Sequence, residues 1–189
     1  GQKLKYIERT KTRIINDAKD AFLVDSGLSG SFSTPVTQIS GLDHLEGKTV
    51  IANVNGGIVE GLVVEDGQIT LPKPAIVVGL PYEFDFETLN IEGENTQGLK
   101  KIVNCVTVKI HKSREDFQFV GSDGIEYRHA RSDASINDAG KLFSTDISPM
   151  TVMATPTAEA TILLKQSYPL PLTILSVSGS VDVQDNENN

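Results

Sequence analysis

The sequence predicts an all-β chain, a β-sandwich with an inserted small β-barrel-like module. Three observations predict this class. From Val24 to Leu89 the chain is a series of short segments rich in β-branched residues, and glycines separate them. Two tight-turn signals, NGG at Asn55–Gly57 and EDG at Glu65–Gly67, lie between such segments. Strand-like alternation resumes near the end of the chain, in ATILLKQ and PLTILSVSGSVDV.

The first part of the chain gives weak signals, and the next part gives strong ones. KYIER (residues 5–9) alternates and favours an edge strand. IINDAKDAF (14–22) favours a loop over a short helix, because no cap begins a periodic apolar face. From residue 41 to 79, dense glycines and runs such as KTVIANV and GQITL predict a small barrel. We therefore place the inserted module at 41–79 and the sandwich at 1–40 and 80–189.

The sandwich strands are predicted from the later stretches. Tyr82, Phe84 and Phe86 alternate with acidic residues, which is typical of a half-buried strand with a solvated acidic face. KKIVNCVTVKI (100–110) predicts one continuous strand, and a hairpin turn is expected at Ser122–Gly124. The stretch from residue 134 to 160 is polar and poorly periodic, so we expect mainly loops there.

Composition excludes several classes of protein. The chain has 189 residues, of which 39% are hydrophobic and 22% charged, in the range of ordinary globular domains. The net charge of -8, without a run of Lys or Arg, argues against a dedicated duplex-DNA-binding module. Solubility is the simplest explanation of the acidity. No apolar run has the length of a membrane span, and we expect no membrane anchor. Gly1 in place of Met suggests a piece of a longer protein.

The chemically active residue types are scattered. A single cysteine, Cys105, excludes an intramolecular disulfide, and the alternation around it predicts a buried strand thiol on the same face as Val103. His44, His111 and His129 share no metal-ligand spacing, so we expect them to be surface or hydrogen-bonded structural residues.

The carboxylates of Glu83, Asp85 and Glu87 alternate with aromatic residues, as on an outward strand face, and do not suggest an acid–base pair. We therefore predict no catalytic, cofactor-binding or metal-ligating residue, no cofactor and no enzymatic activity.

Five segments carry a resemblance to a known family: VDSGLS, TQISGLDHLEGKTV, GQITL, VVGLPYEFDFETL and QSYPLPLTILSVSGSVDV. Together they resemble the C-terminal region of the tail nozzle or packaged-DNA stabilisation proteins of short-tailed phages and prophages. Many members of that family carry an insert similar to a half-domain of the ubiquitin-activating enzyme. The corresponding stretch here is about Gly41–Gly79. The resemblance covers most of the chain and is weakest from Arg128 to Glu159.

The resemblance implies a structural role in a virion tail that is assembled in the host cytoplasm. The expected function is that of a subunit in a ring that extends the portal channel and helps retain DNA. The implied partners are other tail or portal and adaptor subunits, with a homo-oligomer in the full-length protein and no specific nucleic-acid sequence. No catalytic residue carries over from the family. Gly41, Gly47 and Gly79 are expected to fix backbone geometry, and Leu42 and Leu45 to fill the small barrel.

Two other classes remain open. A carbohydrate- or receptor-binding β module of a tail protein would expose a row of Tyr or Phe on one sheet face. A hydrolase such as a tail depolymerase would need paired carboxylates that converge in a groove. The structural role in the tail is the interpretation that we favour.

Overall fold

The computed structural model describes residues 7, 9, 11–30, 36–71, 77–93, 95–114, 117–121, 124, 126–128, 141–151 and 155–184. Strands take up 52% of these residues and helices 4%, which confirms the predicted all-β class. Within these ranges no helix is long and apolar enough to cross a bilayer. The predicted edge strand KYIER lies mostly outside the described residues, as does His129.

Thirteen strands and two short 3-10 helices, Ala18–Asp20 and Asp43–Leu45, make up the regular structure of the described residues. The strands are β1 Asp25–Ser29, β2 Gln38–Ser40, β3 Thr49–Val54, β4 Gly57–Val63, β5 Gln68–Thr70, β6 Val77–Leu80, β7 Phe84–Glu87, β8 Lys100–Ser113, β9 Gln118–Val120, β10 Glu126–Arg128, β11 Phe143–Thr151, β12 Leu163–Gln166 and β13 Ile174–Gln184. The chain divides into two compact units, Gly1–Tyr82 with Ser135–Lys141 and Glu83–Ala134 with Leu142–Asn189.

The first unit contains a four-stranded sheet of order β1-β6-β3-β4 and a two-stranded sheet of β2 and β5. Its apolar core takes residues from both sheets and from the second 3-10 helix, where Leu42 and Leu45 are buried as predicted. Gly41 and Gly47, which flank this helix, have φ of 91° and 69°, a conformation that residues with a Cβ rarely adopt. The segment SGLDHLEGKTV is therefore a set of turn and core determinants.

Both tight turns that the sequence predicts are present. Asn55 and Gly56 have φ of 53° and 87° and join β3 to β4, which is the backbone of a type I′ hairpin turn. Asp66 and Gly67 repeat this geometry with φ of 52° and 67°. The buried side chain of Asn53 supports the first turn, because its Oδ1 accepts the N–H of Gly56 at 2.8 Å.

The predicted organisation of this part of the chain differs from the observed one in two respects. The sheets are open within the described residues, so the barrel-like closure predicted for 41–79 is not formed by them. In addition, β1 pairs with β6 and β2 pairs with β5, which joins strands from residues 1–40 to the module instead of to the sandwich. Sequence patterns indicate that a strand exists but not which strand it pairs with, and this explains the difference.

The second unit has two sheets around one core. A four-stranded sheet has the order β10-β9-β12-β7, and a three-stranded sheet has the order β11-β8-β13. Fully buried side chains from both sheets, such as Val106 and Val108 of β8 and Phe119 of β9, belong to the same apolar cluster. Two sheets that share a core in this way form the predicted sandwich. The β9–β10 hairpin is also confirmed, although Ser122 and Asp123 lie outside the described residues.

The long strand β8 does not alternate continuously. Ser180 of β13 pairs with Cys105, and the next residue of β13 pairs with Val103, so Asn104 is an extra residue in β8. This β-bulge shifts the alternation by one position. Val103 and Val106, which the sequence pattern placed on opposite faces, are both buried in the core. Cys105 is half-buried, which corrects the prediction that it is a buried thiol.

The stretch predicted to consist mainly of loops contains the nine-residue strand β11, Phe143–Thr151, which pairs with β8. Its pairing has two register shifts, and one of them spans Pro149. Irregular pairing of this kind removes the two-residue period in the sequence, and this explains why the strand was not predicted.

Candidate functional site

An exposed aromatic pair lies on strand β7. Phe84 is 41% exposed and Phe86 is 39% exposed. All four residues of β7 are exposed, which corrects the prediction of a half-buried strand. The cause is the position of β7 at the end of the sheet β10-β9-β12-β7, where one of its sides has no neighbouring strand among the described residues.

The aromatic pair continues the core-facing side of the sheet. Phe86 lies directly opposite Leu164 of β12, and Leu164 lies directly opposite Phe119 of β9. Residues that face each other across antiparallel strands project to the same side of a sheet. Leu164 and Phe119 are both fully buried. Phe84 and Phe86 therefore extend this apolar side past the covered core to the edge of the sheet, and we call this pair the aromatic edge.

A buried amide lies beside the aromatic edge. Gln166 is directly opposite Phe84 and is 7% exposed. Its Nε2 has no hydrogen-bond partner in the described part of the chain. A buried donor without an acceptor costs about 1–3 kcal/mol. This side of the sheet therefore contains a buried hydrogen-bond donor without an acceptor in the described part of the chain, next to an apolar surface.

The opposite side of β7 is acidic. Asp85 lies directly opposite Lys165, and Glu87 lies directly opposite Leu163. Glu87 also lines a cleft of about 320 Å³ together with Glu159 and six uncharged residues, namely Val120, Gly121, Gly124, Thr157, Thr161 and Leu163. The strand thus has an apolar side and a side on which carboxylates predominate.

The second unit also contains a buried cation. The side chain of Lys101 has no solvent exposure, and its Nζ lies 2.8 Å from Oε2 of Glu92. The hydrogen bond from Lys101 is the main cause that lowers the pKa of the Glu92 carboxyl from its ordinary value of 4.5. The hydroxyl of Thr96 donates to the same carboxylate at 3.2 Å. Lys101 also pairs through its backbone with Thr157, so the ion pair connects three segments of this unit.

Tyr82 belongs to the first unit and is 38% exposed. Burial of its hydroxyl is the main cause that raises its pKa above 10.0, and the charge of Asp25 raises it further. Both causes disfavour the tyrosinate, so Tyr82 is a neutral side chain at physiological pH.

The histidines that the sequence singled out have separate structural contacts. The ring Nε2 of His44 lies 2.8 Å from the carbonyl oxygen of Ser26. The ring Nδ1 of His111 lies 3.2 Å from the hydroxyl of Ser144. Among the described residues, no group of three or more His, Cys, Asp or Glu side chains is arranged to hold a metal ion.

Sequence reasoning missed Lys101, Glu92 and Gln166. Lysine and glutamine are usually exposed, and neither LKKIVN nor LLKQSY contains a signal that distinguishes a buried polar residue from a surface one. The alternation around Phe84 and Phe86 predicts a half-buried strand and not an exposed one, because alternation does not show which strand lies at the edge of a sheet.

Comparison with known proteins adds no assignment. No family model matches the chain, and no curated protein matches it either.

Proposed function

We propose that the chain is a structural subunit of the short tail of a phage or prophage, in a ring that extends the portal channel and helps retain DNA. The support is the resemblance carried by the five sequence segments together with the all-β fold. Other tail, portal or adaptor subunits would be its partners, and no catalytic step is assigned to it.

One observation carries this role. The resemblance residues of the first unit that the sequence singled out are turn and core determinants of that unit. Leu42 and Leu45 fill its core, and Gly41 and Gly47 adopt positive φ beside them. Gly79 packs so closely that a Cβ there would lie 2.8 Å from the Cα of Gly27. Likeness in turn and core determinants supports a shared architecture, and the structural role is proposed from it by analogy.

Assembly and DNA binding test this role together. The chain alone and the complete reading frame that contains it would be compared by light scattering and negative-stain electron microscopy. We expect the chain alone to be monomeric, with rings only in the longer protein. With a net charge of -8, the chain should also show no measurable affinity for duplex DNA at physiological salt. Tight, salt-sensitive DNA binding, or a longer protein that stays monomeric, would contradict this function.

The aromatic edge favours a second candidate function, a carbohydrate- or receptor-binding module of a tail protein. Exposed Phe84 and Phe86 are the kind of row that such a module would present. A glycan array probed with the wild type and with F86A tests it. Binding of a defined glycan that is lost in F86A would favour this candidate over the ring subunit.

A further inference from the structure

We propose that the free edge of β7 binds an extended peptide segment of a partner protein, in which apolar residues alternate with Lys or Arg. The segment would add a fifth strand to the sheet β10-β9-β12-β7. This interaction goes beyond the tail role and does not depend on it, since any protein with such a segment could bind the edge.

The backbone of β7 has groups available for a new strand. The N–H of Thr88 donates to the carbonyl oxygen of Ile162 at 2.9 Å, which marks this pair as hydrogen-bonded. Backbone groups alternate in direction along an antiparallel strand. Those of Phe84 and Phe86 therefore point toward β12, and those of Asp85 and Glu87 point to the open side. No strand pairs on that side within the described ranges.

The apolar side of β7 specifies alternate residues of the ligand. A strand added to an edge places every second side chain beside the aromatic edge. An apolar residue there would cover Phe84 and Phe86, which now expose about 40% of their surface.

The acidic side specifies the other residues. Asp85 and Glu87 project away from the aromatic edge, and Glu87 borders the cleft that also contains Glu159. Opposite charges that face each other across strands stabilise a pair, and like charges destabilise it. Lys or Arg at these positions of the ligand is therefore favoured. The same rule disfavours pairing of β7 with β7 of a second copy, because carboxylates would face carboxylates.

Three labelled peptides test the proposal by fluorescence polarisation with the purified chain. The probe is KVKYKVKY, acetylated at the N-terminus and amidated at the C-terminus. One control, EVEYEVEY, keeps the apolar residues and reverses the charge. The other, KKKKVVYY, keeps the composition and removes the alternation. We expect saturable binding of the first peptide only. Equal binding of KVKYKVKY and KKKKVVYY would overturn the proposal, because it would show attraction by net charge alone.

Matched variants locate the site. E87K should weaken binding of KVKYKVKY about tenfold, since one attraction becomes a repulsion. E126K carries the same charge change at the opposite edge of the same sheet and should leave the affinity within about twofold. E87P removes an N–H that points away from β12, so the sheet should persist while the added strand loses a hydrogen bond. Circular dichroism checks the fold of each variant, and E87K decides the matter if E87P does not fold.

Two further outcomes would overturn the proposal. If E87K and E126K weaken binding equally, the peptide does not recognise β7. If the chain forms a concentration-dependent dimer that E87P abolishes, the occupant of the edge is a second copy and not a basic segment of a partner.

Discussion

The ammonium of Lys101 and the carboxylate of Glu92 form an ion pair at 2.8 Å in which only the carboxylate contacts solvent. This asymmetry has an energetic consequence, because the buried member of a pair cannot be rehydrated when its partner is removed. Glu92 can recover hydration after a change at Lys101, whereas Lys101 cannot recover it after a change at Glu92.

We expect E92Q to destabilise the chain more than K101M does. Methionine has a similar length and needs no counter-charge, and replacement of a buried charge by an apolar side chain is often close to neutral. Urea unfolding at pH 7 measures both variants against the wild type. A larger loss of stability in K101M would show that the attraction within the ion pair contributes more to stability than the cost of burying an unpaired ammonium does.

The same pair makes stability dependent on pH. The pKa of Glu92 is lower in the folded chain than its ordinary value of 4.5, chiefly because Lys101 donates a hydrogen bond to it. A lowered pKa in the folded state means that the stabilisation is present above about pH 4.5 and is lost as the pH falls through the folded pKa. The difference in free energy of unfolding between the wild type and E92Q should therefore shrink from pH 6 to pH 3. A difference that stays constant over this range would contradict the lowered pKa.

Truncation of two phenylalanines in the same sheet should have very different effects. F119A removes a fully buried ring from the sandwich core and should cost about 3–5 kcal/mol. F86A removes a ring that is 39% exposed at the sheet edge and should cost about 1 kcal/mol. Thermal unfolding of both variants compares them. Equal losses would mean that the aromatic edge is covered in solution.

Gly79 is expected to tolerate no side chain. A Cβ at this position would lie 2.6 Å from Cγ2 of Val24 and 2.8 Å from the Cα of Gly27. Because the second contact is with backbone, β1 and β6 would have to move apart, and overpacking of this kind costs about 1–3 kcal/mol. The stability of G79A, measured by urea unfolding, should fall by that amount. If G79A is as stable as the wild type, the two strands can move apart without a cost in stability.

The half-buried thiol of Cys105 should react in the native state. It lies beside the bulge of β8 and not in the core, so reagent access does not require unfolding of the sheet. Labelling with a thiol reagent should therefore be complete without denaturant, and C105S should change stability by less than about 1 kcal/mol. Protection of the thiol until urea is added would indicate a more closed sheet.

Local features of this fold could be predicted from the sequence, whereas the pairing of strands in the sheets could not. The turns at Asn55–Gly57 and Glu65–Gly67 follow from residues that accept positive φ, and the buried Leu42 and Leu45 follow from the apolar pattern around them. The partner of β1 could not be predicted, because strands close in sequence and strands far apart have the same local pattern. The candidate site depends on strand pairing and so could not be predicted either. Phe86 is exposed because β7 is the outermost strand, which is a property of the whole sheet.

The extra residue at Asn104 makes β8 behave as two half-strands that are out of phase. The buried apolar positions have odd numbers before Asn104 and even numbers after it. If the effects of single substitutions were averaged over even and odd positions of the whole strand, the two halves would cancel, although each half separates buried from exposed positions. Asn104 itself stays outside the core and donates a hydrogen bond to the carboxylate of Asp182 on β13. Loss of this one residue would remove the bulge and leave Val103 and Val106 two positions apart, on the same face of a single strand that alternates without interruption.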